Sequence, residues 1–337
     1  AIANSAVPDT VMTILQKKLR ENTSKALHMT GDLINVLRLM EESGIRAVVL
    51  KGIPLGYMLY SNLALRPSRD LDILVWPEDV HKAIVVIENQ GYERIEPSSV
   101  VTPERLNNWM KTNHHLGFRH NDREIYLELH WRVGHYGIEI PLNEIESCLT
   151  QLTIAGQAMY IPGAEELLLF LMLHGASHAW FRLKWLCDIA VLLGRGGFSW
   201  ERLYALAEHL GVEALLNQAV IFAHDLLQAP VPDNVVQRIM KDRKARNLVR
   251  MALPFIFSVN YEPANLTISM PLYFHSKKYE FSVQIGWKKK FAYLYKKLLP
   301  KDRDFELITL PESLYFLYYL FRPFNWLSRK VLELAGR

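Results

Sequence analysis

The stretch RPSRDLDILV, residues 66–75, combines the pattern of a buried strand with two aspartates. Its part DLDILV (70–75) is rich in branched apolar residues, so it predicts a β-strand. Asp70 and Asp72 are two residues apart and therefore point to the same face, roughly 6–7 Å apart along the strand. Because burying carboxylates is costly unless a cation compensates them, the strand predicts a site that attracts positive charge.

The segment before this strand predicts a turn that approaches it. IRAVVLK (45–51) is typical of a strand, and IPLGYMLY (53–60) of a short helix. Lys51 and Gly52 lie at the junction between the two. Glycine permits a close backbone approach, and amides at a helix N-terminus bind phosphate oxygens. The junction is therefore a candidate phosphate-binding turn, and the alternative is an ordinary turn.

A second polar strand face follows downstream. HHLGFRH (114–120) and EIYLELHW (124–131), separated by Asn121-Asp122, predict a β-hairpin. The second strand alternates, with apolar residues on one face and Glu128 and His130 on the other. Glu128 is thus a candidate third carboxylate beside the two aspartates, and a solvated surface acid is the alternative.

Three carboxylates on neighbouring strands suit a hard divalent cation such as Mg²⁺, which takes carboxylate oxygens and keeps positions for substrate phosphates. Arg66 and Arg69 flank Asp70 and Asp72. The two arginines are expected either to hold phosphate oxygens or to offset the aspartates, and the sequence leaves both interpretations open.

Together these motifs resemble the polymerase-beta-type nucleotidyltransferase superfamily, and more closely its bacterial branch of uncharacterised nucleotidyltransferases. The resemblance covers residues 45–132 well and the next segment in part. The broad superfamily usually has a serine after the glycine, where this chain has Ile53, so Lys51 is expected to take over that phosphate contact. The matching residues are Leu50, Lys51, Gly52, Leu59, Tyr60, Arg66, Arg69, Asp70, Asp72, Glu128, His130 and Trp131.

The resemblance implies an enzyme that moves a nucleoside monophosphate from an NTP, such as ATP, to a hydroxyl or phosphate of an acceptor, with release of pyrophosphate. Asp70, Asp72 and Glu128 would be both catalytic residues and ligands of Mg²⁺, as one or two ions, with Mn²⁺ as the alternative. The acceptor would be a small molecule, a peptide, a sugar or a protein. The alternative function is a non-catalytic nucleotide- or partner-binding module, of the toxin–antitoxin kind, on the same fold.

The resemblance also suggests which residues surround the reacting groups. These fall into two sets, one for the nucleotide phosphates and one for the acceptor or the support of the site. The first set is Lys51, Gly52, Arg66 and Arg69, and the second is His130, His178, Lys184 and Asp188.

The stretch HGASHAWFRLKWLCDIAVLL (174–193) predicts one helix that carries a polar and aromatic stripe. Histidines four residues apart, as His174 and His178 are, can bind zinc, but no third ligand is evident in the sequence. A packing role and a role at the substrate remain open for these histidines. The stripe contains His174, His178, Phe181, Trp185 and Asp188.

The order of predicted elements indicates an α+β protein with a small mixed or antiparallel sheet, flanking helices and a mostly helical C-terminal domain. The predicted units are N-terminal helices in residues 1–44, an α/β core in 45–140 and a helical domain in 141–337. Apolar spacing within residues 9–43 predicts the N-terminal helices, and Gly44 is expected to end the second of them. TIAGQAMYI, residues 153–161, predicts a further hairpin.

Composition excludes several classes of protein. Half of the 337 residues are hydrophobic and 22% are charged, which is typical of a folded chain. The net charge of +4 is compatible with a phosphate-bearing ligand but does not call for nucleic acid. Two cysteines, Cys148 and Cys187, form no disulfide framework, so a reducing, cytoplasmic setting is expected.

No signal peptide or transmembrane helix is expected. The most apolar segment, PESLYFLYYLFRPFNWL (311–327), is interrupted by Arg322 and Pro323. It is interpreted as a buried helix, with contact to a membrane surface as the alternative.

Overall fold

The computed structural model describes residues 7–97, 103–135, 138–257, 270–284 and 286–298, with isolated positions 317, 321 and 324. The α-helices of these residues are α1 Asp9–Glu42, α2 Ile53–Tyr60, α3 Val80–Asn89, α4 Pro103–Thr112, α5 Leu142–Ser147, α6 Ala164–Ser177, α7 Leu183–Arg195, α8 Trp200–His209, α9 Glu213–Leu227, α10 Asp233–Lys241, α11 Arg243–Ile256, α12 Met270–Ser282 and α13 Gly286–Leu298. The strands are β1 Ala47–Val49, β2 Asp70–Val75, β3 Tyr92–Glu96, β4 His115–His120, β5 Ile125–His130, β6 Val133–His135, β7 Ile138–Ile140, β8 Thr150–Ile154 and β9 Gln157–Ile161.

A five-stranded mixed sheet organises the first part of the fold, with strand order β1-β2-β5-β4-β3. Strands β2 and β5 run parallel, and the other neighbouring pairs are antiparallel. Helices flank this sheet, and α6 to α13 follow it in the chain. The predicted fold class, α+β with a small mixed sheet and a helical C-terminal region, is confirmed.

The predicted hairpin around Asn121-Asp122 is the pair β4 and β5, with His120 opposite Ile125. Alternation along β5 buries Ile125, Leu127 and Leu129 in the apolar core. The opposite face of β5 therefore carries its polar residues, as the alternation predicts.

The apolar periodicities within residues 9–43 belong to one continuous helix, α1, rather than to separate helices. Its second half, from Ala26 to Met40, buries a stripe of side chains, whereas Val11 and Leu15 in the first half are exposed. Gly44, at φ 70°, ends the helix as predicted, because the backbone turns there into a left-handed conformation that glycine adopts without strain.

The stretch 174–193 is not one helix, which corrects the sequence interpretation. Helix α6 ends at Ser177, and α7 begins at Leu183. Between them Ala179 and Trp180 have φ values of 50° and 59°. The physical reason is the packing of Trp180, which is fully buried and lies against the backbone of Gly175, where any Cβ atom would overlap the indole ring.

The later part of the chain packs onto the same hydrophobic core as the sheet. The predicted hairpin of residues 153–161 is part of β8 and β9, which turn at Ala155-Gly156. One continuous cluster of buried apolar side chains extends from Ala26 in α1 to Val283, just after α12. The division of the chain at about residue 140 stays a prediction.

Among the described residues, no helix combines the length and apolarity needed to cross a membrane. The aromatic segment 311–327 lies outside the described residues except for positions 317, 321 and 324. The expectation of a buried or membrane-surface helix there stays a prediction.

Candidate active site

The parallel pairing of β2 with β5 brings the predicted carboxylates together. Asp72 lies directly opposite Glu128, and Asp70 lies opposite Tyr126. The side chain of Asp72 is fully buried, while those of Asp70 and Glu128 are 31% and 33% exposed. The Asp72 carboxylate is therefore buried, and the carboxylates of Asp70 and Glu128 are accessible to a ligand.

Lys51 supplies the positive charge that the aspartates require. Its Nζ lies 2.7 Å from Asp72 Oδ1 and 3.3 Å from Asp70 Oδ2, and its side chain is 8% exposed. Burial alone would lower the pKa of Lys51, but the charges of Asp70, Asp72 and Glu128 outweigh it and raise the pKa above its ordinary value. The ammonium group therefore stays protonated among the carboxylates.

His130 lies between two of the carboxylates. Its Nε2 is 3.2 Å from Glu128 Oε2 and 3.4 Å from Asp72 Oδ1. Burial alone would lower the pKa of His130, but its interactions with the Asp72 and Glu128 carboxylates raise it to about 9. Burial likewise would raise the pKa of Glu128, and the interactions with His130 and Lys51 hold it well below its usual range. The site thus pairs the ionised Glu128 carboxylate with cationic side chains.

The donor set around Asp72 fits a metal ion. Within the described residues, one group of metal-capable side chains brings three ligand atoms within 4.8 Å of one another, those of Asp72, Glu128 and His130. Among the described residues, neither oxygen of the buried Asp72 carboxylate has a hydrogen-bond partner of good geometry, although Lys51 and His130 approach Oδ1 at ion-pair distance. An unsatisfied buried carboxylate is stabilised by a bound cation. The third metal-capable side chain in this group is His130, and the predicted ligand Asp70 is not a member of it.

Gly52 forms the turn beside the carboxylates. Its φ of 83° and ψ of −130° lie in a region that residues with a Cβ avoid. A Cβ atom there would lie 3.3 Å from both the Asp70 carbonyl oxygen and Ser68 Oγ. The turn therefore passes tightly over the start of β2 and leads directly into α2.

Replacing Gly52 with alanine is expected to lower the free energy of unfolding by about 1–3 kcal/mol, because alanine is strained at this φ and ψ. NTP affinity is expected to fall as well, since the turn must shift away from Asp70. Chemical denaturation and calorimetry with ATP measure the two effects.

The matched control is Gly156→Ala in the β8–β9 turn, where φ is 84° and a Cβ would meet nothing within 4 Å. It should lose stability but keep NTP affinity. Equal NTP affinities of the Gly52 and Gly156 variants would contradict a role for the Gly52 turn in nucleotide binding.

Arg66 does not offset the aspartates of β2. Its guanidinium is buried and pairs with Asp188 on α7, with Nε 3.0 Å from both carboxylate oxygens and Nη2 2.9 Å from Oδ2. Its Nη1 also donates to the Gly52 carbonyl at 3.3 Å. Arg66 therefore joins α7 to the glycine turn, and Lys51 supplies the compensating charge instead. Arg69 is exposed beside Asp70.

Lys184 adds a second link between α7 and the same loop. Its Nζ donates to the Pro67 carbonyl at 3.1 Å. Burial, followed by the nearby charge of Arg66, lowers the pKa of Lys184 to about 8. Lys184 and Asp188 thus hold the loop before β2 through Pro67 and Arg66, and this contact brings the predicted loop and helix residues together.

The predicted stripe of rings assembles around the break between α6 and α7. The His178 ring stacks on Trp185 with centroids 5.1 Å apart, and the His174 ring meets Trp185 edge-on at 5.0 Å. Phe181 also contacts Trp185 edge-on at 5.0 Å. No third metal-capable residue joins the two histidines in the part of the chain that the structure describes, so the contacts favour packing over zinc binding.

The charges of the carboxylate site influence the pKa of His178. Burial lowers its pKa to about 4, and the positive charges of Lys51 and Arg182 act in the same direction, partly opposed by Glu128 and Asp70. His178 is therefore neutral near pH 7, and the ring cluster lies beside the acids.

The stability of the protein is expected to fall as the pH decreases from about 6.5 to about 4. An unfolded histidine binds its proton near pH 6.5, whereas folded His178 does so only near pH 4, so the unfolded state holds more protons between these values. His178 alone can change the free energy of unfolding by at most about 1.4 kcal/mol per pH unit. Urea denaturation across this range should give a shallower slope for His178→Gln than for the wild type.

The exposed His209 provides the matched control, because His209→Gln removes an imidazole from the surface rather than from the ring cluster. Identical slopes for wild type and His178→Gln would show that His178 is not held neutral by the fold.

The structure brings the predicted carboxylates, Lys51 and Gly52 close to one another, and it shows two ionic contacts that the sequence does not predict. Lys51 pairs with Asp70 and Asp72, and Arg66 pairs with Asp188. The second pair spans 122 residues of sequence. No local signal reveals such a contact, although a buried arginine and a buried aspartate each require a partner.

Comparisons with known proteins place the chain in a family. The model of the family described as uncharacterised nucleotidyltransferase matches residues 1–228. No curated protein matches the sequence at a significant level. Among solved structures, the antibiotic-resistance factor ANT(2'')-Ia is similar at 11% identity and a TM-score of 0.39, covering 60% of this chain and 98% of its own. The lincosamide antibiotic adenylyltransferase LnuA, solved with lincomycin, has 18% identity and a TM-score of 0.32, covering 47% and 91%. Because the family match extends over more than half of the residues, the chain belongs to the uncharacterised nucleotidyltransferases.

Proposed function

We propose that the protein transfers a nucleoside monophosphate from an NTP to a hydroxyl or phosphate oxygen of an acceptor. The acceptor oxygen forms a bond to the α-phosphorus, the bond between that phosphorus and the bridging oxygen breaks, and pyrophosphate leaves. The proton of an acceptor hydroxyl is released to solvent. Family membership supports transfer of this general kind.

One observation carries the proposal, namely the strand register that sets Asp72 of β2 opposite Glu128 of β5, with Asp70 at the start of β2. Asp70, Asp72 and Glu128 are the proposed ligands of Mg²⁺. The bound ion would neutralise phosphate oxygens and favour in-line displacement.

The side chains and backbone of the chain position the nucleotide. The Gly52 turn at the start of α2 offers its backbone to phosphate, and Lys51 lies beside it with a protonated ammonium group. Arg69 is exposed next to Asp70 and is proposed to meet the outer phosphates. Arg66 is proposed to act on the nucleotide indirectly, because its guanidinium pairs with Asp188 and also donates a hydrogen bond to the Gly52 carbonyl.

The acceptor is proposed to enter beside His178 and the rings around Trp185, which lie near the carboxylates. A small molecule, a peptide, a sugar and a protein are the proposed acceptor classes.

Calorimetry with ATP and with a non-hydrolysable α,β-methylene analogue tests the proposal. Both should bind in the presence of Mg²⁺ and much more weakly without it, and Asp70→Asn/Asp72→Asn should abolish the Mg²⁺-dependent part. The exposed turn variant Asp122→Asn is the control and should bind as the wild type does.

Transfer itself is tested with α-labelled NTPs and a pool of hydroxyl-bearing small molecules and peptides. Label on an acceptor together with released pyrophosphate is the expected result. Mg²⁺-dependent binding without any transfer would favour the non-catalytic binding module, and no NTP binding in either condition would overturn both functions.

A further inference from the structure

We infer that His130 is itself a ligand of the divalent cation, so that this site takes a first-row transition metal such as Mn²⁺ in preference to Mg²⁺. The inference deepens the proposed function and rests on it for the statement that the site serves a cation-dependent reaction. It concerns the donor atoms of the protein itself, so metal binding can be measured without a nucleotide.

The positions of the donor atoms support an imidazole ligand. His130 Nε2 lies 3.2 Å from Glu128 Oε2 and 3.4 Å from Asp72 Oδ1. Neighbouring ligands of one octahedral cation, each about 2.1 Å from it, are separated by about 3 Å. The three side chains therefore need to move little to bind one ion together, and His130 releases its Nε2 proton to solvent as the ion binds.

The backbone fixes this arrangement. Glu128 and His130 are two residues apart on β5 and share a face, and β2 presents Asp72 directly opposite Glu128. His130 is 6% exposed at its side chain, and its Nε2 has no hydrogen-bond partner of good geometry in the described residues. The buried atoms Asp72 Oδ1 and His130 Nε2 thus lie 3.4 Å apart, and neither has a hydrogen bond of good geometry among the described residues.

His130 adds a donor to the ligands proposed above. The Asp70 carboxylate contacts the Lys51 ammonium group at 3.3 Å, and the same ammonium group contacts Asp72 Oδ1 at 2.7 Å. The group of metal-capable atoms that lie within 4.8 Å of one another therefore contains His130 beside Asp72 and Glu128.

The donor set determines the metal preference. Mg²⁺ prefers oxygen ligands and binds imidazole poorly, whereas affinity for sites that contain nitrogen rises along the first-row transition series. Two carboxylates and one imidazole therefore favour Mn²⁺ and Co²⁺ over Mg²⁺. Without His130, the donor set would consist of oxygen alone and this preference would be absent.

The neighbouring His115 offers a matched control. It lies opposite His130 in the β4–β5 pairing, and the two ring centroids are 5.2 Å apart. His115 is not a member of the metal-capable group. A loss of imidazole at His115 thus changes the surroundings of the site while keeping its three donors.

The experiment measures Mn²⁺ binding to the nucleotide-free full chain by EPR of free Mn²⁺, with Mg²⁺ as competitor. The wild type should bind Mn²⁺ about 10-fold or more tightly than Mg²⁺, and His130→Gln should lose about 10- to 100-fold in Mn²⁺ affinity with a much smaller change for Mg²⁺. His115→Gln should keep the wild-type ratio. Equal Mn²⁺ to Mg²⁺ ratios in wild type and His130→Gln, or no Mn²⁺ binding by the wild type, would overturn the inference.

Pulsed EPR of Mn²⁺ bound to the wild-type protein provides a measurement that needs no variant to fold. Modulation from a directly coordinated ¹⁴N nucleus is expected, and it should persist in His115→Gln. Its absence would overturn the inference while leaving nucleotidyl transfer intact. Conversely, nitrogen coordination in a protein that neither binds NTPs nor transfers nucleotides would support the inference and overturn the proposed function.

Discussion

Asp72→Asn is expected to reduce nucleotidyl transfer by about 10³-fold and to abolish measurable divalent-cation binding. Asp72 is the buried carboxylate that Lys51 and His130 approach and that is proposed to hold the metal, and no described residue gives its oxygens a hydrogen bond of good geometry. An amide keeps the shape of the side chain but removes its charge, so the ligand is lost while the packing is preserved. Label transfer from an α-labelled NTP and Mn²⁺ titration measure the two effects.

The fold of the Asp72→Asn variant should persist, because Lys51 keeps its contact with Asp70 at 3.3 Å. Circular dichroism and thermal unfolding check this point. The control Asp122→Asn removes an exposed aspartate from the β4–β5 turn and should leave transfer and metal affinity unchanged. Transfer by folded Asp72→Asn at a rate close to that of the wild type would exclude Asp72 from the active site.

Asp188→Asn is expected to lower the free energy of unfolding by about 3–5 kcal/mol, the typical cost of leaving one member of a buried ion pair without its partner. The side chains of Arg66 and Asp188 are 3% and 0% exposed, so water does not replace the lost carboxylate. NTP affinity should also fall, since Arg66 holds the carbonyl of Gly52. Urea denaturation and calorimetry with ATP give the two values.

Two further variants separate the charge from the packing. Arg66→Met/Asp188→Leu replaces both ions with apolar side chains and should recover much of the lost stability, because no unpaired charge remains. Arg38→Ala breaks the exposed Arg38–Glu42 pair on α1 and should cost no more than about 1 kcal/mol. If Asp188→Asn were as mild as Arg38→Ala, the buried pair would not link α7 to the loop before β2.

Local patterns were sufficient for the elements that carry the site. The alternation in β5 predicts which residues face the core, and the Asp-x-Asp spacing in β2 predicts that both carboxylates share a face. Such patterns depend only on the period of a strand, so they can be read within a few residues. The end of α1 at Gly44 follows in the same way from the conformational freedom of glycine.

Local patterns failed where packing overrides propensity. Residues 174–193 have helical periodicity, yet the chain turns at Ala179 and Trp180 because the indole ring packs against Gly175. The break brings His178, Phe181 and Trp185 together in space by a route other than a single helical stripe. The burial of a large ring outweighs the modest preference of short segments for helix.

The sequence by itself determined the α+β class and the strand faces, because these depend on local period and residue type. It also predicted Asp70, Asp72 and Glu128 as site residues, through their resemblance to a family pattern. Only the tertiary structure decided the partners of each charge. The register of β2 against β5 sets His130 beside Asp72. The packing of α7 pairs Arg66 with Asp188, so that Lys51 is the side chain that pairs with Asp70 and Asp72. The physical reason is that a buried charge is stable only beside an opposite charge. Which opposite charge lies within a few ångströms depends on the tertiary fold, because such partners are separated by many residues in the sequence.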